Sequence, residues 1–221
     1  MNYRLPPSAP YAATASTPAL LSQVLGITGL GLCITALAAY LFRDMAPGFL
    51  AFGALIGGFI LLIAIGRMSV TNEPLALLMF YAFTFLEGIG IAPTIAFYAH
   101  IDGPSVVMNA ALTTGLGMLG LGAIVYATTF DFRRLYGVLT MALMAIIVIG
   151  IVSLFVHFVS PTAISWVVLF IFAGLTLADF ARIRAGGGGA SAIMLAVSIY
   201  LDAINIFLAL LQIFSGRRSN D

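Results

Sequence analysis

The chain contains no lysine; all nine basic residues are arginine. That excludes Schiff-base chemistry, including that of a retinal-linked seven-helix receptor, and removes the lysine of a phosphate-binding P-loop. Charge of either sign is scarce. Only 8% of the 221 residues are charged, against about 25% in soluble domains. With 62% of the chain hydrophobic, no water-soluble surface can be assembled. A net charge of +1 offers nucleic acid no electrostatic footing. The single cysteine, Cys33, lies in an apolar run and rules out a disulfide framework; it reads as a small packing residue. His100 and His157 fall in connections with no second ligand nearby, so no fixed metal site is expected. What remains is a polytopic, all-α membrane protein.

A helix needs about 20 apolar residues to cross the hydrocarbon core. Seven stretches qualify: residues 20–42, 47–66, 74–98, 106–129, 135–158, 162–181 and 192–214. The connections are short and rich in breakers, among them Asp102-Gly103-Pro104, Ser160-Pro161 and Gly186-Gly187-Gly188-Gly189. Short connections make sequence neighbours antiparallel and leave no room for a soluble domain. The expected organisation is a disordered polar tail at 1–18, a seven-helix domain at 19–216 and a short polar tail at 217–221. The first apolar run begins late and is long enough to span, so it reads as a retained helix rather than a signal peptide. Arg4, Arg67, Arg133, Arg134, Arg182 and Arg184 fall on one side, and Arg43, Arg217 and Arg218 on the other. That bias predicts an N-terminus on the cytoplasmic side.

Small residues mark close helix contacts. Gly53 and Gly57 form a GxxxG in the second span, and Thr113, Gly117, Gly120 and Gly122 line part of the fourth. Packing within the monomer is the simpler expectation for both.

Polar groups inside the spans are fewer and more telling. Asp202 lies in the run Ala192 to Phe214, where a charge costs about 2.5–3.5 kcal/mol on insertion scales. Ser198, Asp202, Asn205 and Gln212 recur at helical spacing and share one face. Tyr81, Thr84, Glu87, Thr94 and Tyr98 form a similar stripe in the third span, which Pro93 should bend. Glu87 and Asp202 fall at comparable depth. Asp179 enters from the other direction, near the end of the sixth span. It meets Asp202 only if the sixth helix continues past Ala181 toward Arg184 and the seventh begins near residues 191–197. Each polar group has a plain alternative: packing for Glu87, a solvated charge for Asp179, and a snorkelling anchor for Arg67.

The segment Ser198-Ile199-Tyr200-Leu201-Asp202-Ala203-Ile204-Asn205 and the apolar run after it closely resemble the last-helix signature of the Bax inhibitor-1 family. Phe83-Thr84-Phe85-Leu86-Glu87-Gly88 resembles that family's third helix. Leu177-Ala178-Asp179-Phe180 resembles the end of its sixth, with Ala178 where a Tyr commonly stands. The resemblance spans essentially the whole chain. It implies six helices around a central seventh and, for a bacterial member, a pH-sensitive calcium leak in the inner membrane. By motif match the sensor would be Asp179 with Asp202, and an arginine lock would fall on Arg67. Glu87, Asn205, Ser198, Thr84 and Thr94 would line an interior polar path, with calcium bound only transiently near Asp179, Asp202 and Glu87.

Two carboxylates close together in a poorly solvated site cannot both ionise cheaply, so they would titrate as a pair. The partners expected are lipid, protons and calcium, with no cofactor and no enzymatic activity. Rival readings stay open. A proton-coupled transporter would show inverted repeats, and none is evident. An intramembrane aspartyl protease would show a Gly-x-Gly-Asp motif, and none surrounds Asp179 or Asp202. A non-conducting regulator that binds other membrane proteins is compatible with everything above.

Overall fold

A computed structural model describes residues 17–153 and 160–218. Most of the expected N-terminal tail with Arg4, the end of the fifth span with His157, and residues 219–221 lie outside the described residues. Seven helices form: α1 Thr17–Leu41, α2 Phe49–Thr71, α3 Glu73–Asp102, α4 Pro104–Ala127, α5 Tyr136–Ser153, α6 Pro161–Arg184 and α7 Ala192–Arg218. Short 3₁₀ turns precede α5 and α7. All seven are long and apolar enough to cross a membrane.

The helix ends follow from local chemistry. A single residue, Asn72, separates α2 from α3, and its side chain accepts the Leu75 N–H at 3.1 Å. Ser160 caps α6 by accepting the Ala163 N–H at 3.2 Å. Gly103, at φ 83°, turns α3 into α4, and Pro104 starts the new helix. The tetraglycine Gly186–Gly189 is left-handed throughout, with φ from 60° to 84°, a run that side-chain-bearing residues avoid. Pro93 is accommodated inside α3, which runs unbroken through it.

The connections alternate between two ends of the bundle. One end, rich in arginine, holds Arg67, Arg133, Arg134, Arg182 and Arg184. The opposite end holds Arg43, His100 and Asp102. Helix α7 packs against α1, α2, α3, α4 and α6, and 67% of its most apolar window is buried, against 6% for α5. The seventh helix is therefore the core, and α5 leans on α6 at the periphery. Large apolar side chains face outward on the other helices, including Phe49, Leu78, Leu116, Val138 and Phe170. Such a surface is stable against lipid and not against water.

Several expectations about small residues need correction. Cys33 is exposed on the outer face of α1 and is not a packing residue of the interior. A β-carbon on Gly53, Gly117 or Gly120 would meet nothing within 4 Å, so these point away from neighbouring helices. The close contacts lie elsewhere. Gly57 and Gly58 face Leu86 and Phe83 of α3, and Gly122 faces the Phe180 ring.

Candidate functional site

Asp179 and Asp202 are buried at 3% and 4% exposure, the only carboxylates among the described residues so deeply enclosed. The sixth helix continues to Arg184, as their meeting required, and α7 begins at Ala192. The three residues beyond Ala181 move Asp179 about 4.5 Å farther from the helix end. The two carboxylates interact electrostatically, and Thr176, one turn before Asp179 on α6, lies beside Asp202. The Thr176 hydroxyl is itself committed to the Phe172 carbonyl at 2.8 Å. No hydrogen bond joins the two aspartates, and Asp179 Oδ1 and Asp202 Oδ2 are fully buried without a hydrogen-bond partner in the protein. Buried oxygens of this kind are strong acceptors with nothing to accept from, which suits a proton or a cation.

The positive charge beside the pair is Arg182, not Arg67. Arg182 is half-buried three positions after Asp179; it acts electrostatically on that carboxylate and donates Nε–H to the Gly187 carbonyl at 3.2 Å. Arg67 is exposed near the end of α2, and among the described residues the ion pairs are Arg43–Asp44 and Arg133–Asp131. An outward-facing arginine at a helix end is held by its solvation, so the expected lock is not formed in this arrangement. Tyr136 at the start of α5 lies within electrostatic range of Asp179, Arg182 and Asp202.

The other predicted residues divide. Thr84 is fully buried and donates to the Tyr81 carbonyl at 2.9 Å, but it lies on the α1 side of α7. Glu87 is half-buried on the same side, and its electrostatic neighbour is Tyr200. The structure thus separates Glu87 and Thr84 from the aspartate pair. Ser198 is half-buried, and Asn205 donates to the Leu201 carbonyl of its own helix at 2.8 Å. Thr94 is exposed, which removes it from any interior path. Its spacing matches the Glu87 face, but Tyr98 of that stripe, and not Thr94, packs against the core there. Gln212 accepts from Ser165 of α6, and Ser215 donates to Asp102 of α3.

Along α7 the polar groups therefore cluster at two levels. Between Asp202 and Gln212 the interface is apolar: Ile206, Leu210 and Leu211 pack with Ile171, Phe172 and Leu175. Among the described residues no three His, Cys, Asp or Glu side chains converge on a point.

Sequence reasoning missed four contributors: Thr176, Arg182, Thr35 and Tyr200. Thr35 was findable. Thr28, Gly31, Thr35 and Ala38 recur along α1 as a small-residue face, the usual mark of a close helix contact.

The comparisons agree with this architecture. A family described as "Inhibitor of apoptosis-promoting Bax1" matches residues 17–219. An uncharacterized membrane protein of Vibrio cholerae is 31% identical over 215 residues, covering 94% of each chain. An uncharacterized protein of Pseudomonas aeruginosa is 30% identical over 210 residues, covering 91% of each. An uncharacterized membrane protein of Streptococcus pyogenes is 28% identical over 211 residues, covering 87% of this chain and 90% of its own. A match from the start of α1 to the end of α7, on a seven-helix membrane bundle with its last helix central, means that this chain belongs to the Bax inhibitor-1 family.

Proposed function

We propose that the protein is a pH-sensitive leak channel for calcium or a similar cation, with Asp179 and Asp202 as its proton-sensing pair. The observation that carries this reading is the pair itself: two buried carboxylates on neighbouring helices, each with an unpartnered oxygen and within electrostatic range of each other, inside a membrane domain. Proton occupancy changes the charge of such a pair, and hence its attraction to Arg182 and to a passing cation. Weak oxygen sites suit a leak, because an ion held tightly does not leave. Apolar contacts around Phe172 lie between the pair and Gln212, and in this reading they are what closes the path. Opening requires α6 and α7 to part there.

The same reading places the protein in a bacterial inner membrane with its arginine-rich end in the cytoplasm. The arginine bias and the bacterial relatives support that placement. It assigns a conduit and not an enzyme.

The test is calcium entry into liposomes holding the full chain, followed across an acid-to-neutral pH series. Wild type should show flux that changes with pH, and Asp202→Asn should flatten the profile. An identical profile in the variant would remove the sensor. Folded protein with no flux at any pH would point to the non-conducting regulator.

A further inference from the structure

Helix α7 carries a second buried polar contact, on the side away from Asp179. Thr28 and Thr35 lie seven positions apart on α1 and share a face. Thr28 donates to the Ala196 carbonyl of α7 at 3.3 Å. Thr35 Oγ lies 2.7 Å from the Tyr200 hydroxyl and 2.9 Å from the Thr84 carbonyl of α3. A hydroxyl has one proton to give. The Thr35 proton goes to a carbonyl, that of Thr84 at 2.9 Å or that of Gly31 in its own helix at 3.1 Å, so Tyr200 donates to Thr35, and through the nearer carbonyl a relay runs from α7 through α1 to α3. Thr35, Thr84 and Tyr200 are buried at 3%, 0% and 0% exposure, so a group that loses its partner there finds no water in exchange. The Tyr200 ring is held edge-on by Phe80 and Phe83, at centroid distances of 5.6 and 5.5 Å.

Tyr200 and Asp202 are two positions apart, about 200° around the helix. Seating one side chain therefore sets the direction of the other. Elsewhere on α7, Asn205 bonds within its own helix, and Gln212 and Ser215 anchor the opposite end; at Asp202 itself Thr176 of α6 is the hydroxyl alongside, and Oδ2 has no partner.

We infer that Tyr200 is the positioning residue of the sensor, fixing the rotation of α7 through Thr35 and Thr84 so that Asp202 faces Asp179. The inference rests on the proposed role of the aspartate pair and adds the element that aims it. The charged and titratable groups around Asp202 are Asp179 and Arg182 from α6, Tyr136 from α5 and, beyond Tyr200, Glu87 from α3. From α1 come the Thr28 and Thr35 hydroxyls, and α4 brings Met118 against Thr176. Arg67 of α2 is exposed.

The experiment reads Asp202 directly. Infrared spectra of the full chain in liposomes are recorded against pH, each background minus its own Asp202→Asn counterpart, and flux is measured on the same samples. Tyr200→Phe and Thr35→Ala should each displace the Asp202 midpoint in the same direction, because a turned α7 changes how closely Asp202 sits to Asp179 and Arg182. The double variant should move it no further, and Thr35→Ser should restore it. Unchanged midpoints in both single variants would overturn the inference, as would a wild-type Asp202 signal that ignores pH. If Tyr200→Phe does not fold, the Thr35→Ala and Thr35→Ser pair decides. A displaced midpoint in protein that passes no calcium would leave the positioning role standing and remove the channel. Wild-type pH-dependent flux with both variants unmoved would do the reverse.

Discussion

Gly88 of α3 faces Thr35 of α1 so closely that a β-carbon on the glycine would sit 2.5 Å from the threonine carbonyl oxygen and 2.7 Å from Ala38 Cβ. Neither obstacle is a flexible side-chain tip, so Gly88→Ala must push α1 and α3 apart. The expected cost is about 1–3 kcal/mol, the usual range for overpacking, read as a lowered melting temperature in detergent. Because the Thr35–Thr84 bond spans the same contact, the variant should also reproduce the Asp202 displacement of Thr35→Ala. Wild-type stability in Gly88→Ala would mean that the two helices have room to give.

Arg184 ties the arginine-rich end together. Its guanidinium donates to the Val125 carbonyl, to that of Thr128 at 2.6 Å and to that of Phe130 at 3.0 Å. Val125 lies in the last turn of α4, whose carbonyls have no helical partner, Thr128 caps that helix, and Phe130 belongs to the connection beyond it. Arg184→Gln should lower stability by about 1–3 kcal/mol, and Arg184→Lys should recover only part of it, since an ammonium lacks the planar fork. Thermal unfolding of the three proteins decides the matter; equal melting temperatures would reduce Arg184 to a surface charge.

Cys33 gives a probe of the membrane face without any new mutation. It is exposed near the middle of α1, among outward-facing apolar residues. In intact liposomes it should resist a water-soluble maleimide and react with a lipid-soluble one, and detergent should abolish the difference. Rapid labelling by the aqueous reagent would place that face of α1 against water.

Asp131 should play no part in pH sensing. It lies in the connection after α4, where hydrogen bonds from Arg133 hold its carboxyl below the usual carboxylate range. A lowered value means that the pair's contribution is fully present above the ordinary Asp value of about 3.9 and is lost only as pH falls through the folded value. Asp131→Asn should therefore keep the wild-type flux profile across the acid-to-neutral series. A displaced profile would enlarge the sensor beyond Asp179 and Asp202.

The seven spans were legible because a run of about 20 apolar residues is a coarse and strong signal. Asp202 was legible for the same reason, as a charge where charge is expensive. What periodicity does not supply is the neighbour across the interface. Thr94 matches the Glu87 face by spacing, yet it faces outward. Residue counting puts Glu87 and Asp202 at comparable depth, yet the neighbour of Glu87 is Tyr200 and that of Asp202 is Asp179, because Tyr200 and Asp202 point in nearly opposite directions from α7. Arg67 and Arg182 are both arginines near helix ends; only the packing of α6 against α7 selects Arg182. The extension of α6 to Arg184 was visible as a requirement of the pairing before it was seen in the bundle.

The burial of α7 has a consequence for biogenesis. Its five packing partners, α1, α2, α3, α4 and α6, all precede it in chain order. The ribosome therefore delivers the centre of the bundle after its walls. Until α7 arrives, α1, α2 and α3 already pack on one another, but Thr35 lacks Tyr200 and Asp179 lacks Asp202, so the surfaces that α7 will cover must be tolerated by lipid or guarded by the insertion machinery. A nascent chain arrested before Ala192 would keep the small cluster of Ala38, Ala54 and Ile89 among α1, α2 and α3 and lack the three larger clusters that α7 completes. Completion of the fold and completion of the aspartate pair are the same event.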